Sequence, residues 1–163
     1  MRLRPYGEED RRLTVELEGD SEVMRHLGGA AVGERAERVH RRRLEGRDRE
    51  WYRTILQEDH GGEAPAGVVA VFRSEWEGSE IHELGIMLRP GRAQRHGLAA
   101  GAVRLIVDEV RAGGGVREIH AFIGTGNRAA AVVARRTGFV NQGPCEMDYE
   151  GEPIQCDHWI LTI

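Results

Sequence analysis

Between Ile81 and Val110 the hydrophobic pattern changes its period, and the change falls across a loop rich in glycine and arginine. Ile81 to Leu88 reads as a strand that Pro90-Gly91 ends. From Leu98 onward Leu98, Ala102, Leu105, Ile106 and Val110 share one helical face, while Arg104, Asp108 and Arg111 lie opposite. A strand that feeds a helix through a glycine-containing turn places the chain among mixed α/β folds.

The flanking segments extend that reading. Arg2 to Tyr6 reads as a short first strand, and Glu8-Glu9-Asp10 opens a helix with acids in the turn where the macrodipole favours them. Leu13, Leu17, Val23, Met24 and Leu27 continue at helical spacing until Gly28-Gly29, and a second helix runs from Gly33-Glu34 to about Leu44. Trp51 to Leu56 and Gly67 to Phe72 are strands joined through Gly61-Gly62-Glu63-Ala64-Pro65. After Gly113-Gly114-Gly115 come a strand at Ile119 to Ile123 and a helix at Ala129 to Thr137. Two strands, Phe139 to Tyr149 and Ile154 to Ile163, close the chain as a hairpin. The expectation is one domain over residues 1–163 with an α/β (α+β) architecture. Its central sheet is mixed and mostly antiparallel, with helices on both faces and a C-terminal β-hairpin.

Composition narrows the function classes. With 163 residues, 40% of them apolar and 31% charged, the chain can bury a core without disulfides or metal. The formal net charge of −4 argues against nonspecific nucleic-acid binding, although all 23 basic residues are arginine. No apolar run reaches the ~18 residues of a membrane span, and Met1-Arg2-Leu3-Arg4-Pro5 has no secretory apolar stretch. These readings make a cytoplasmic protein without membrane or nucleic-acid partners the expectation. Cys145 and Cys156 are too few for a four-ligand zinc site, so no metal is expected.

Chemistry concentrates in Arg89-Pro90-Gly91-Arg92-Ala93-Gln94-Arg95-His96-Gly97-Leu98-Ala99. The N–H groups of a helix start near Leu98, approached closely at Gly97, make an anion site suited to a phosphate or pyrophosphate. An ordinary strand–helix turn with solvent-facing arginines is the alternative. Neither a Walker-type phosphate loop nor a dinucleotide glycine fingerprint is present.

Gln94-Arg95-His96-Gly97-Leu98-Ala99, set between a strand and a long helix, resembles the Gln/Arg-x-x-Gly-x-Gly/Ala motif of the GCN5-related N-acetyltransferase (GNAT) superfamily. Asn127 to Phe139, which begins with Asn and ends in Gly138-Phe139, is similar to that superfamily's next motif. Leu3-Arg4-Pro5-Tyr6 with Glu9-Asp10, Glu22-Val23-Met24 and Asp157-His158 resemble the ribosomal-protein N-acetyltransferase branch. The resemblance implies acetyl-coenzyme A as acetyl donor. Backbone groups of Met87, Leu88 and Arg89 would pair with the pantetheine amides as a missing strand does. Amides from Arg95, His96, Gly97, Leu98, Ala99 and Ala100, beside Gln94, would hold the pyrophosphate, and Asn127 would touch the cofactor.

The implied reaction is attack of a primary amine, on a small molecule or a protein N-terminus, at the thioester carbonyl. Amines have pKa values near ~10, so a base is needed. Glu83 is the candidate, at the spacing before Gln94 that the resemblance gives the basic glutamate. His82 alternates to the other sheet face unless a bulge at Gly85 intervenes. A backbone N–H near Leu88 would stabilise the oxyanion. Many relatives carry a tyrosine as acid for the thiolate where this chain has Ala134, and a serine where it has Ala130; Tyr149 and Cys145 are the nearest substitutes. A non-catalytic acyl-coenzyme A-binding module of the same fold is the alternative function.

Weaker features complete the sequence. Arg38-Val39-His40-Arg41-Arg42-Arg43 with Arg47 and Arg49 reads as a solvated helix face or, second, as a docking surface for an acidic peptide. Trp51, Trp76 and Trp159 read as packing residues. Cys156, Asp157 and His158 alternate faces and cannot converge on a metal. A turn at Glu150-Gly151 sets Cys145 opposite Cys156, as two thiols near enough to bridge under oxidation. An exposed last strand leaves monomer and homodimer both open.

Overall fold

The computed structural model describes residues 1–31, 33–59, 61–91 and 97–163. In chain order the elements are β1 (Arg2–Pro5), α1 (Arg11–Gly19), α2 (Glu34–Gly46), β2 (Trp51–Asp59), β3 (Gly62–Trp76) and β4 (Ser79–Leu88). They continue with α3 (Leu98–Gly113), β5 (Glu118–Gly124), α4 (Arg128–Arg136), β6 (Val140–Tyr149) and β7 (Glu152–Thr162). The strands form one seven-stranded sheet in the order β1-β2-β3-β4-β5-β7-β6. All neighbours are antiparallel except β4 and β5, which are parallel and joined by the α3 crossover. The mixed, mostly antiparallel sheet with helices on both faces and a final hairpin is the architecture expected.

The apolar alternation of the strands builds two cores. On one face Val69, Val71, Leu88 and Ile119 pack with Ala102, Val103, Ile106 and Val110 of α3, and with Ala134, Phe139 and Trp159. On the other, Val68, Ala70 and Met87 pack with Tyr6, Leu13, Leu17, Met24 and Tyr52 under α1. Full burial of an aliphatic side chain stabilises by roughly 1.5–3 kcal/mol, so each helix is held by its apolar stripe rather than by propensity.

Local chemistry moves several boundaries. Glu8–Asp10 is a 3-10 turn leading into α1, and Val23–His26 is a separate 3-10 turn rather than a continuation of that helix. Asp20 causes the break: its Oδ1 accepts from the backbone N–H groups of Glu22 (2.8 Å) and Val23 (3.0 Å), a side-chain alternative to helical pairing. No bulge intervenes at Gly85, because β3 and β4 pair without interruption from Gly67–Leu88 to Trp76–Ser79, so His82 and Glu83 alternate faces as expected. The irregularity lies instead between β2 and β3, where Ile55 faces Gly67 and Leu56 faces Pro65, leaving Ala66 over.

Two of the tight hairpins turn on Glu-Gly. Glu77 (φ 50°) with Gly78 (φ 77°), and Glu150 (φ 52°) with Gly151 (φ 89°), have the two positive φ values that match strand twist in a two-residue turn. The second fixes the final register. Tyr149 faces Glu152 and Cys145 faces Cys156, as the sequence predicts, and both cysteines are free.

At Gly67, β3 leaves no room for a side chain against β4. A Cβ there would overlap the Met87 carbonyl oxygen and lie 2.7 Å from Leu88 Cδ2 and 3.0 Å from Leu88 Cα. Since the obstruction is mostly backbone, Gly67→Ala is expected to destabilise by about 1–3 kcal/mol, read as a fall in the denaturant midpoint at unchanged slope. An unchanged midpoint would show that β3 and β4 are not packed as described.

Candidate active site

Parallel strands that separate leave backbone groups at their carboxyl ends free to meet a ligand. β4 and β5 pair in register at Glu83 and His120 alone. Beyond that pair Met87 and Leu88 end β4, and Ile123 and Gly124 end β5 with no strand between them. The α3 helix begins after this gap, with Gly97 as its N-cap in left-handed backbone (φ 73°).

The direction of the polar groups on β4 follows from its pairing with β3. The Arg89 N–H donates to Ala66 O at 2.9 Å, and the Met87 carbonyl lies against Gly67. Residues 87 and 89 therefore turn their backbone groups toward β3, and strand alternation turns Leu88 toward the gap. The Arg89 side chain points away as well, donating from Nη1 to Pro65 O (2.6 Å) and from Nη2 to Glu16 Oε2 (2.7 Å). Leu98 and Ala100 bury their side chains, and Ala99 is half-buried. Gln94, Arg95 and His96 lie outside the described residues. Asn127 caps α4: its Oδ1 accepts from the Ala130 N–H at 3.1 Å.

Glu83 sits at the vertex of the splayed pair and lines a cavity of about 790 Å3. Tyr52 and Phe72, stacked with ring centroids 5.9 Å apart, form one wall, and Trp76 with Phe122 (4.7 Å) forms another. Met147, Tyr149 and Glu150 of the last hairpin contribute a third side. Burial raises the Glu83 carboxyl above its ordinary value, while the Ser74 hydroxyl and the charge of Arg42 pull it the other way. His82 faces the opposite side, edge-on to Trp51 at 6.4 Å, so the sheet separates the two candidates as strand alternation requires.

The sequence did not reveal what closes the cavity. Arg42 of α2 pairs with Glu150 of the β6–β7 turn, and Arg38 lies 3.7 Å from the same carboxylate. Arg43 is buried with its Nη1 donating to Thr14 Oγ1 at 2.9 Å. The arginine run is therefore split between solvent, cavity and core, which corrects its reading as one solvated face. Trp76 likewise lines the cavity rather than the core. Below the wall Glu18, fully buried, accepts from the Tyr149 hydroxyl at 2.9 Å, with Arg35 at 3.4 Å and Arg43 at 3.8 Å. Tyr6 extends this network, its hydroxyl 2.5 Å from Thr14 Oγ1 and 2.6 Å from His40 Nδ1. Ala134, the buried residue of α4, is packed in the core and offers no proton donor.

Residues 1–140 match the family model of the acetyltransferase (GNAT) domain. No curated protein sequence matches the chain. Among solved structures, the fold is similar to a GNAT superfamily phosphinothricin acetyltransferase from Sinorhizobium meliloti in complex with AcCoA (TM-score 0.78, 21% identity, covering 99% of this chain and 88% of that one). It is similar also to a ribosomal-protein-alanine N-acetyltransferase from Brucella melitensis (TM-score 0.75, 18% identity, 100% of both chains). A third is spermidine N-acetyltransferase from Vibrio cholerae in complex with CoA and spermine (TM-score 0.72, 17% identity, 99% of this chain and 94% of that one).

The raised Glu83 carboxyl has a consequence for stability. Its folded pKa lies above the ordinary value of 4.5, so the ionised form is disfavoured by folding. The favourable contribution is complete below the unfolded value and is lost as pH rises through the folded one. Glu83→Gln is expected to be more stable than the parent chain at pH 7.5, with the difference vanishing at pH 4, measured by urea unfolding. Equal stabilities at pH 7.5 would show that the carboxylate is not desolvated.

Proposed function

The chain belongs to the GNAT acetyltransferase family, and on that premise we propose that it transfers the acetyl group of acetyl-coenzyme A to a primary amine. The observation that carries this reading is the half-buried Glu83 carboxylate at the vertex of the β4–β5 gap, shared with a cavity large enough for an acceptor. The thioester arm enters the gap, where Leu88 offers the backbone N–H and C=O that β5 leaves unpaired. The same Leu88 N–H stabilises the developing oxyanion without reorganisation. The first turn of α3 at Gly97, Leu98, Ala99 and Ala100 supplies N–H groups for the pyrophosphate. Gln94, Arg95 and His96 belong to that loop by sequence, and the Asn127 amide nitrogen, not used in capping, faces the donor. Met87 and Arg89 support the site through their pairing with β3.

At the acceptor side Glu83 removes the ammonium proton, and the neutral amine attacks the thioester carbon. The tetrahedral intermediate then collapses, breaking the C–S bond. A carboxylate raised toward neutrality is a better base than an ordinary one. The cavity also carries Glu75, Glu146 and Asp148, none with a cationic partner among the described residues. This charge suits acceptors with a second cationic group, small molecule or basic N-terminus alike. The spermidine N-acetyltransferase from Vibrio cholerae, in complex with CoA and spermine, binds a polyamine with several such cationic groups.

A non-catalytic acyl-coenzyme A-binding role is the second reading, favoured by the buried Ala134 where an acid is expected. Release of free thiol from acetyl-coenzyme A in the presence of amines separates the two. For the enzyme, Glu83→Gln is expected to lower kcat by roughly 10²–10⁴-fold at neutral pH, with a deficit that shrinks as pH approaches the amine's own pKa. A pH-independent loss would make Glu83 a positioning group. Ala99→Glu adds an acid to the first turn of α3, which the helix itself favours, yet opposes an anion there. It is expected to weaken acetyl-coenzyme A binding at least ten-fold at a temperature where the unliganded variant remains fully folded. Unaltered affinity would refute the pyrophosphate placement.

A further inference from the structure

The final hairpin holds two thiols that the acetyl-transfer reading does not use. Cys145 Sγ and Cys156 Sγ lie 3.0 Å apart, and the Cys156 sulfur is also 3.5 Å from Cys145 O. Cys145 is partly exposed and Cys156 is buried. We propose that this pair is a reversible modification site, which a low-molecular-weight disulfide converts to a cross-strand disulfide.

The backbone already satisfies the bond. Tyr149 and Glu152 close the turn as a hydrogen-bonded pair, and pair types alternate along an antiparallel ladder. Cys145 and Cys156 are four pairs further on, so they form the same type, whose Cα atoms are ~5.5 Å apart. That separation lies within the range disulfides span, and the sulfurs need to approach by only about 1 Å. The ladder is regular from Tyr149–Glu152 through Pro144–Asp157, with the irregularity confined to the stretch between Asn141 and Gly143. Closure therefore requires no change of register.

Exposure orders the steps. The Cys145 thiolate attacks one sulfur of the small disulfide; its S–S bond breaks, and one thiolate leaves and takes up the proton that Cys145 released. The Cys156 sulfur then attacks Cys145 in the mixed disulfide, loses its proton to the departing second thiolate, and completes the Cys145–Cys156 bond. Two protein thiols are oxidised and one small disulfide is reduced to two thiols. Burial, followed by the neighbouring Cys145, pushes the Cys156 thiol up to about 12, which keeps it protonated and leaves Cys145 as the first to react.

The location gives the bond something to hold. β6 is the sheet edge, paired only with β7, and Met147 and Tyr149 of β6 line the cavity. A bond at Cys145 ties that wall to the strand that β5 holds in the sheet.

The test treats the full chain with oxidised glutathione and follows intact mass and thiol labelling. The expected product is a monomer lighter by two hydrogen masses with no labelled thiol, whose digest contains a Cys145–Cys156 crosslinked peptide. Excess reduced glutathione is expected to restore both thiols. Cys156→Ser is expected to stop at the glutathione adduct on Cys145, and Cys145→Ser to remain unmodified. A wild-type chain that keeps the adduct on Cys145, pairs only between molecules, or retains both free thiols would overturn the proposal. None of these outcomes depends on whether the chain turns over an amine.

Discussion

The parallel contact between β4 and β5 governs the rest of the molecule. Every other pairing in the sheet is antiparallel and extends over several residues, whereas these strands meet in register at Glu83 and His120 alone. A parallel connection needs a crossover, and α3 supplies it, burying Leu98, Ala102, Val103, Ile106 and Val110 against the sheet. Because the strands diverge past Glu83, the same contact creates a gap at their carboxyl ends and sets a carboxylate at its apex. The proposed donor entrance and the candidate base are thus one geometric consequence, not two independent features.

On the opposite face, polar burial links the helices to the hairpin. Glu18 is withdrawn from solvent, which costs several kcal/mol unless its oxygens find partners, and Tyr149, Arg35 and Arg43 provide them. Arg43 continues to Thr14 and Arg42 to Glu150, so α1, α2 and the β6–β7 turn converge on one wall. Removing a single member would leave a buried charge exposed to low dielectric, and this mutual dependence favours one arrangement of the wall over loosely packed alternatives.

Legibility in the sequence divides along physical lines. Features set by local periodicity or by a turn were readable: the change of period from Ile81 to Val110, the pairing of Cys145 with Cys156, and the placement of His82 and Glu83 on opposite faces. Features set by contacts distant along the chain were not. Arg42 and Arg43 look alike in sequence, yet one faces a cavity and the other a buried glutamate about a helix away. The Val23–His26 turn was missed because Asp20 competes for the backbone N–H groups that helical spacing assigned to a continuing helix. Nor did Gly85 mark a bulge; its place is an unbroken ladder, and the extra residue is Ala66, whose side chain carries no such signal.

The buried Ala134 bears on how the proposed reaction ends. Packed against α3 and the sheet, it cannot be exchanged for a proton donor by any small rearrangement. Tyr149 reaches the cavity, but its hydroxyl donates to Glu18, and burial followed by that carboxylate raises the phenol above its ordinary value. A phenol held in that way is a poor acid for a thiolate. A free thiol ionises near ~8.5, so a coenzyme A thiolate is a competent leaving group that water can protonate after departure. In this chain, then, the demand falls on the first half of the reaction: deprotonating the amine and stabilising the oxyanion. Those are the tasks that the proposed reaction assigns to Glu83 at the β4–β5 vertex and to the open edge at Leu88.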